Sequence, residues 1–109
     1  MESIINKIDE LMDEFVNSGQ YKKYARLKEK LEENDELRQK VESFYKKSEM
    51  LELKRIQGEE TDFDEERVLS NQYTEIWLNE TGNKYMAARN DIYKALARIY
   101  EIIENKCKL

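Results

Sequence analysis

Proline is absent from this chain of 109 residues and glycine occurs only three times, so almost nothing in it interrupts a helix. Apolar residues recur at steps of three and four nearly from end to end, which is the helical period. Those two facts predict an all-α fold: an antiparallel bundle of four to five amphipathic helices in a single domain spanning residues 1–109. Hydrophobic and charged residues each make up 39% of the chain. That balance suits helices with one apolar stripe and a wet opposite face. It also suits a protomer that completes its core against a partner.

The clearest stripe is the first: Ile4, Ile5, Ile8, Leu11, Met12, Phe15 and Val16, with Asp9, Glu10, Asp13 and Glu14 filling the other face. Asn17-Ser18-Gly19 ends it, with Gly19 suited to a left-handed C-terminal cap. A second helix is expected from about Gln20 to Glu33, with Tyr21, Tyr24, Leu27 and Leu31 on one side. Asn34 or Asp35 then serves as an N-cap for a third, running to about Gln57. Gly58 stops it, and Thr61 with Asp64 reads as a variant capping box for a fourth helix over about Asp62 to Asn79. In that helix Phe63, Val68, Leu69, Tyr73, Ile76 and Trp77 are expected to face inward. Glu80-Thr81-Gly82-Asn83 reads as a second break, followed by a helix from about Asn83 to Asn105. Its stripe, Tyr85, Ala88, Ile92, Leu96, Ile99 and Ile103, is widened by Met86, Tyr93, Tyr100 and Ile102, which predicts a central position.

Function is bounded mainly by what is missing. With no histidine and one cysteine, a nucleophile–base pair cannot be assembled in the usual ways, and no catalytic residue is assigned. There is no glycine-rich phosphate loop, and the acid run Glu59 to Glu66 lacks the spacing of a calcium loop, so no cofactor is expected. A net charge of −5 disfavours broad nucleic-acid binding and anionic membrane surfaces. No apolar run approaches membrane-spanning length, no signal peptide opens the chain, and a single cysteine fits a reducing compartment; a cytoplasmic location is the expectation.

Several residues stand out as contact candidates. Ile76, Trp77 and Leu78 are successive large apolar residues, and neighbours on a helix point about 100° apart. All three cannot enter one core, so at least one should face a second surface. Tyrosine joins an apolar ring to a polar tip and suits interfaces; of the seven, Tyr21, Tyr24 and Tyr45 are the candidates. Lys22, Lys23, Arg26, Lys28 and Lys30 form a basic face, read as solvated surface or, in the alternative function, as a nucleic-acid contact. Cys107 is the one thiol that could act as a ligand to a shared iron–sulfur cluster, against the plainer reading of an exposed residue near the chain end.

Tyr21-Lys22-Lys23-Tyr24 with Leu27, Leu31 and Glu33-Asn34-Asp35-Glu36-Leu37 resembles the start of the YlbF/YmcA family of bacterial regulators. Val41-Glu42-Ser43-Phe44, Gln57-Gly58-Glu59-Glu60 and Asn83-Lys84-Tyr85-Met86-Ala87-Ala88-Arg89, leading into Ile92, Leu96 and Ile99, extend the resemblance over nearly the whole chain. The resemblance implies a small, all-helical, cytoplasmic, often dimeric, non-enzymatic protein of mainly Gram-positive bacteria. It also implies a complex that influences competence, sporulation and biofilm formation and is connected to the endoribonuclease that initiates messenger RNA turnover. Some members carry cysteines tied to an iron–sulfur cluster; with Cys107 alone, this chain cannot supply four ligands itself. The expected function is that of a regulatory adaptor acting through protein–protein contacts, as a homodimer.

Overall fold

The computed structural model describes all 109 residues. Five helices and no strands form: α1 (Glu2–Val16), α2 (Gly19–Glu32), α3 (Asp35–Ile56), α4 (Phe63–Trp77) and α5 (Glu80–Cys107). Four of the five start on a side-chain cap. Ser18 accepts from the Tyr21 amide, Asn34 from Leu37, Asp62 from Asp64 and Asn79 from Gly82. Each cap satisfies one of the amides a helix start leaves orphaned.

Local chemistry departs from the sequence reading at three of the breaks. Gly19 is not a left-handed cap; it is the first residue of α2, and α1 is closed instead by Asn17 and Ser18, whose side chains donate to the Asp13 and Phe15 carbonyls. Thr61 does not cap α4; Asp62 takes that place, and the Thr61 hydroxyl donates to Glu66 at 2.7 Å. Glu80-Thr81-Gly82 is the first turn of α5 rather than a break, because Asn79 begins the helix three residues early. Gly58 behaves as read, closing α3 with φ +76°, the left-handed conformation that favours glycine.

The core joins Leu27 and Leu31 of α2, Leu37 and Val41 of α3, Ile76 of α4, and Tyr85, Met86 and Ala88 of α5. Each large side chain buried there contributes about 1.5–3 kcal/mol relative to exposure. The pairing of α3 with α4 is antiparallel: Lys40 meets Glu75 at 2.6 Å, Lys54 meets Glu65 at 3.1 Å and Arg55 meets Glu66 at 3.2 Å. These exposed pairs set register more than they add stability. The α2–α5 pairing runs the same way, with Lys30 at the end of α2 close to Glu80 at the start of α5, and Tyr24 stacked on Tyr85 with ring centroids 5.8 Å apart. The α4–α5 elbow is tight. A Cβ added at Gly82 would stand 2.6 Å from the Ile76 carbonyl oxygen, so only glycine lets the two helices approach this closely.

The bundle covers much less than its stripes promise. The expectation of a central last helix holds only for the first half of α5; Tyr93, Ile99, Tyr100, Ile102 and Ile103 are exposed. No residue of α1 is buried. On α4, Phe63, Val68, Tyr73 and Trp77 are exposed rather than inward, because α4 packs on α3 and meets α5 only at its end, which shelters a narrow line of it. The radius of gyration is 17.2 Å, against about 13 Å for a compact chain of this length.

Candidate protein interface

A ladder of rings connects the core to the surface. Phe44 packs on Tyr45 with centroids 5.3 Å apart and on Tyr73 at 5.8 Å; Tyr73 in turn stacks on Trp77 at 6.0 Å and 12°. Helical spacing puts Tyr73 and Trp77 four residues apart on one face of α4, where side chains meet. Of the three successive residues singled out from the sequence, Ile76 is 1% exposed and is core, while Trp77 is 44% and Leu78 80% exposed. Ile76 therefore offers no surface. Trp77 and Leu78 form the apolar tip at the end of α4.

The three tyrosines lie elsewhere. Tyr21 and Tyr24 continue a second run of rings, Phe15 to Tyr21 at 5.9 Å and Tyr21 to Tyr24 at 5.7 Å, that ends on Tyr85. Both are half-buried, as is Tyr45, and Tyr24 and Tyr45 pack directly on the core. The structure thus brings Tyr21 and Tyr24 together, and separately joins Tyr45 through Phe44 and Tyr73 to Trp77.

An arrangement the sequence did not disclose centres on Arg89. Its guanidinium carbon lies 3.6 Å from the Tyr45 ring centroid and 4.5 Å from that of Tyr93, and Nη2 donates to the Tyr93 hydroxyl at 3.3 Å. A cation between two rings clamps α5 to α3 while remaining partly wet. Burial pushes the Tyr85 hydroxyl well above its ordinary value, with Tyr24 adding to the effect, and burial likewise raises Tyr45 against the opposing pull of Arg89. The only sequence signal for this clamp was an arginine inside an aromatic-rich stripe, and its partner lies 44 residues away in the chain.

Two further surfaces complete the picture. An open cleft of about 360 Å³ lies between α3 and α4, floored by Met50, Leu51, Val68 and Leu69 and rimmed by Lys47, Lys54, Asp64 and Glu65. On α2, Lys22, Lys23, Arg26, Lys28 and Lys30 are all exposed, and none has a carboxylate within ion-pair distance. Cys107 is exposed on the last turn of α5, and nowhere do three or more histidine, cysteine, aspartate or glutamate side chains converge on a metal-sized site. No helix is long and apolar enough to cross a membrane. Among the exposed side chains are many aliphatic and aromatic ones, and aromatic residues are of the kind that anchor interfaces.

A family model described as "Control of competence regulator ComK, YlbF/YmcA" matches residues 4–107. A "UPF0342 protein" of Caldicellulosiruptor saccharolyticus is 33% identical over 103 residues, covering 94% of this chain and 86% of its own length. A second, from Caldicellulosiruptor bescii, is 32% identical over 103 residues, with 94% and 87% covered. No solved structure matches the chain.

Proposed function

The chain belongs to the YlbF/YmcA family of control-of-competence regulators, and from that premise we propose that it is a non-enzymatic adaptor subunit acting through its exposed apolar faces. The observation that carries this reading is the tip of α4, where Tyr73, Trp77 and Leu78 stand exposed on a rigid ladder of rings. A large flat aromatic held in place loses little entropy on contact and desolvates well, which is how interface anchors work. The absence of histidine and of any converging metal-binding group favours docking over chemistry. The processes that follow from the family resemblance are competence, sporulation and biofilm formation in the cytoplasm. Its partners there would be proteins of a complex that acts on the endoribonuclease initiating messenger RNA turnover.

The test is complementation. Deleting the gene in its host should change competence-gene expression, and wild-type protein should restore it. Leu78→Asp, at a position 80% exposed, should fail to restore it while accumulating to normal levels. Restoration by Leu78→Asp and by Trp77→Asp alike would overturn the assignment of this surface.

One observation favours a second reading. The five cations on α2 have no ion-pair partners, so they are free to meet an anionic polymer. RNA binding that weakens steeply with salt, and that is lost when Lys22, Lys23 and Arg26 are changed to glutamine, would put direct nucleic-acid contact in place of the adaptor. An acidic chain with sequence pI near 5.0 weighs against it.

A further inference from the structure

Arg89 carries a charge that the fold half-buries and leaves without a counterion. No carboxylate stands within ion-pair distance of its guanidinium. Its own helix offers none either, because the residues one turn away on α5 are Tyr85, Met86, Ile92 and Tyr93. A charge drawn partly out of water is normally paired. The two rings also fix this arginine in place, Tyr45 at 3.6 Å and Tyr93 at 4.5 Å. Its hydrogen bond to the Tyr93 hydroxyl leaves further N–H donors unengaged.

Arg89 lines an open pocket of about 300 Å³ where α2, α3 and α5 meet. Leu31, Val41 and Tyr85, all buried, and half-buried Tyr45 give the pocket an apolar floor. We propose that this pocket binds a single carboxylate group, carried by a small organic acid with a compact apolar body, and that Arg89 is its bidentate partner. The proposal is independent of the adaptor reading, whose surface lies at the end of α4.

Charge selects a monoanion. Four basic and three acidic residues line the pocket, which leaves one positive charge over. Arg38 meets Glu42 at 3.3 Å. Lys28 has Glu32 one turn on along α2, and Lys46 has Glu49 one turn on along α3. The surplus therefore sits at Arg89, and one negative charge completes the balance. A polyphosphate or an RNA backbone would bring further charges up against Glu32 and Glu49, and such like-charge contacts oppose binding. Volume points the same way. The pocket is at the lower end of the range for small-molecule sites, about 300–1,000 Å³, which suits one ring or a short chain.

The guanidinium selects a carboxylate. It presents parallel N–H donors in one plane, and the two oxygens of a carboxylate accept both. Because Tyr45 and Tyr93 hold the arginine before a ligand arrives, little side-chain freedom is left to lose on binding. Lys28 and Lys46, on opposite walls, draw an anion inward, while Glu32 and Glu49 keep the affinity modest. An acidic side chain of another protein carries the same group. The apolar floor favours the small acid, because a short aspartate or glutamate stem has little apolar surface to set against it.

Titrating the full chain with benzoate, followed by NMR at the Arg89 Nε–H and the Tyr45 ring, tests the site. Both signals should shift saturably, with a dissociation constant of about 1 mM or less. Benzamide, with the same shape and no charge, should shift neither. Arg89→Lys keeps the charge and removes the fork, so binding read at the Tyr45 ring should weaken about tenfold. Glu32→Gln and Glu49→Gln remove opposing charges and should each tighten binding about twofold, a gain that a damaged fold cannot imitate. A blocked peptide with one glutamate among alanines should bind about tenfold more weakly than benzoate; binding as tight as benzoate would make a partner protein the source and overturn the small acid. Four other results would overturn the site itself. They are no shift with benzoate at about 10 mM, equal shifts with benzamide, tighter binding of tripolyphosphate than of benzoate, and glutamine variants that both bind no more tightly than wild type.

Discussion

Replacing Gly82 with alanine sets two effects of known sign against each other. Gly82 sits in the first turn of α5, where alanine is the better helix former and restricts the unfolded chain; on propensity and entropy the change gains about 0.4–1 kcal/mol. Against that, the new methyl would lie 2.6 Å from the Ile76 carbonyl oxygen and 2.9 Å from Ile76 Cγ2. The methyl of Ile76 can turn; the carbonyl cannot, because it accepts from the Asn79 amide at 3.1 Å and belongs to the last turn of α4. Relief requires the α4–α5 elbow to open by several tenths of an ångström, which strips contacts from Ile76, the most completely buried side chain in the molecule. Overpacking of this kind costs about 1–3 kcal/mol, so the net expectation is a loss of about 1–2 kcal/mol. Urea unfolding followed by circular dichroism measures it. With a slope of about 1.5 kcal/mol/M, the midpoint should fall by about 1 M. A midpoint that rises would refute the close approach and leave propensity as the whole account.

Trp77→Ala should cost about 1–2 kcal/mol, less than the 3–5 kcal/mol of a buried aromatic, because the ring is 44% exposed and packs on one side against Tyr73; a loss above about 4 kcal/mol would place it in the core. Asn34→Ala should cost about 1 kcal/mol through the lost cap to the Leu37 amide, and Asn34→Gly only a few tenths, by the same urea measurement. At alkaline pH, tyrosinate absorbance should show Tyr85 and Tyr45 ionising above the ordinary tyrosine range. Their folded values are raised, so the neutral ring is the favoured form. That contribution to stability is intact below about pH 10, the unfolded value, and is lost as pH rises through the folded ones. Unchanged stability well above pH 10 would show that neither hydroxyl is held apart from water.

Helix number and type were legible because proline is absent and the apolar period is sustained; Gly58 was legible, and the cap of α3 was narrowed to Asn34 or Asp35, because a left-handed turn and a cap residue have chemistry of their own. Boundaries slipped where two adjacent residues compete for one role. Asp62 displaced Thr61 as cap because its carboxylate reaches the Asp64 amide while the Thr61 hydroxyl is engaged by Glu66. The sequence reading of α4 erred in another way. A stripe marks residues that favour burial, but it carries no record of what is available to bury them, and Phe63, Val68 and Tyr73 find too little of the chain around them to be covered. At Ile76-Trp77-Leu78 the geometric limit on three adjacent residues was sound, and only packing decided that Ile76 would be the one inside. The Arg89 clamp depends on a distant partner, Tyr45, and no local pattern encodes such a meeting.

No residue of α1 is buried, and this has a thermodynamic corollary. An isolated helix of about 15 residues is marginal in water, since nucleation is costly and propensity alone barely repays it. The order of this arm is therefore on loan from whatever lies against it. Left uncovered, the arm should melt before the remainder of the molecule, with hydrogen exchange along residues 2–16 running faster than at Val41 and Met86. Whatever comes to lie along those first four turns therefore decides how much of that segment exists as a rod.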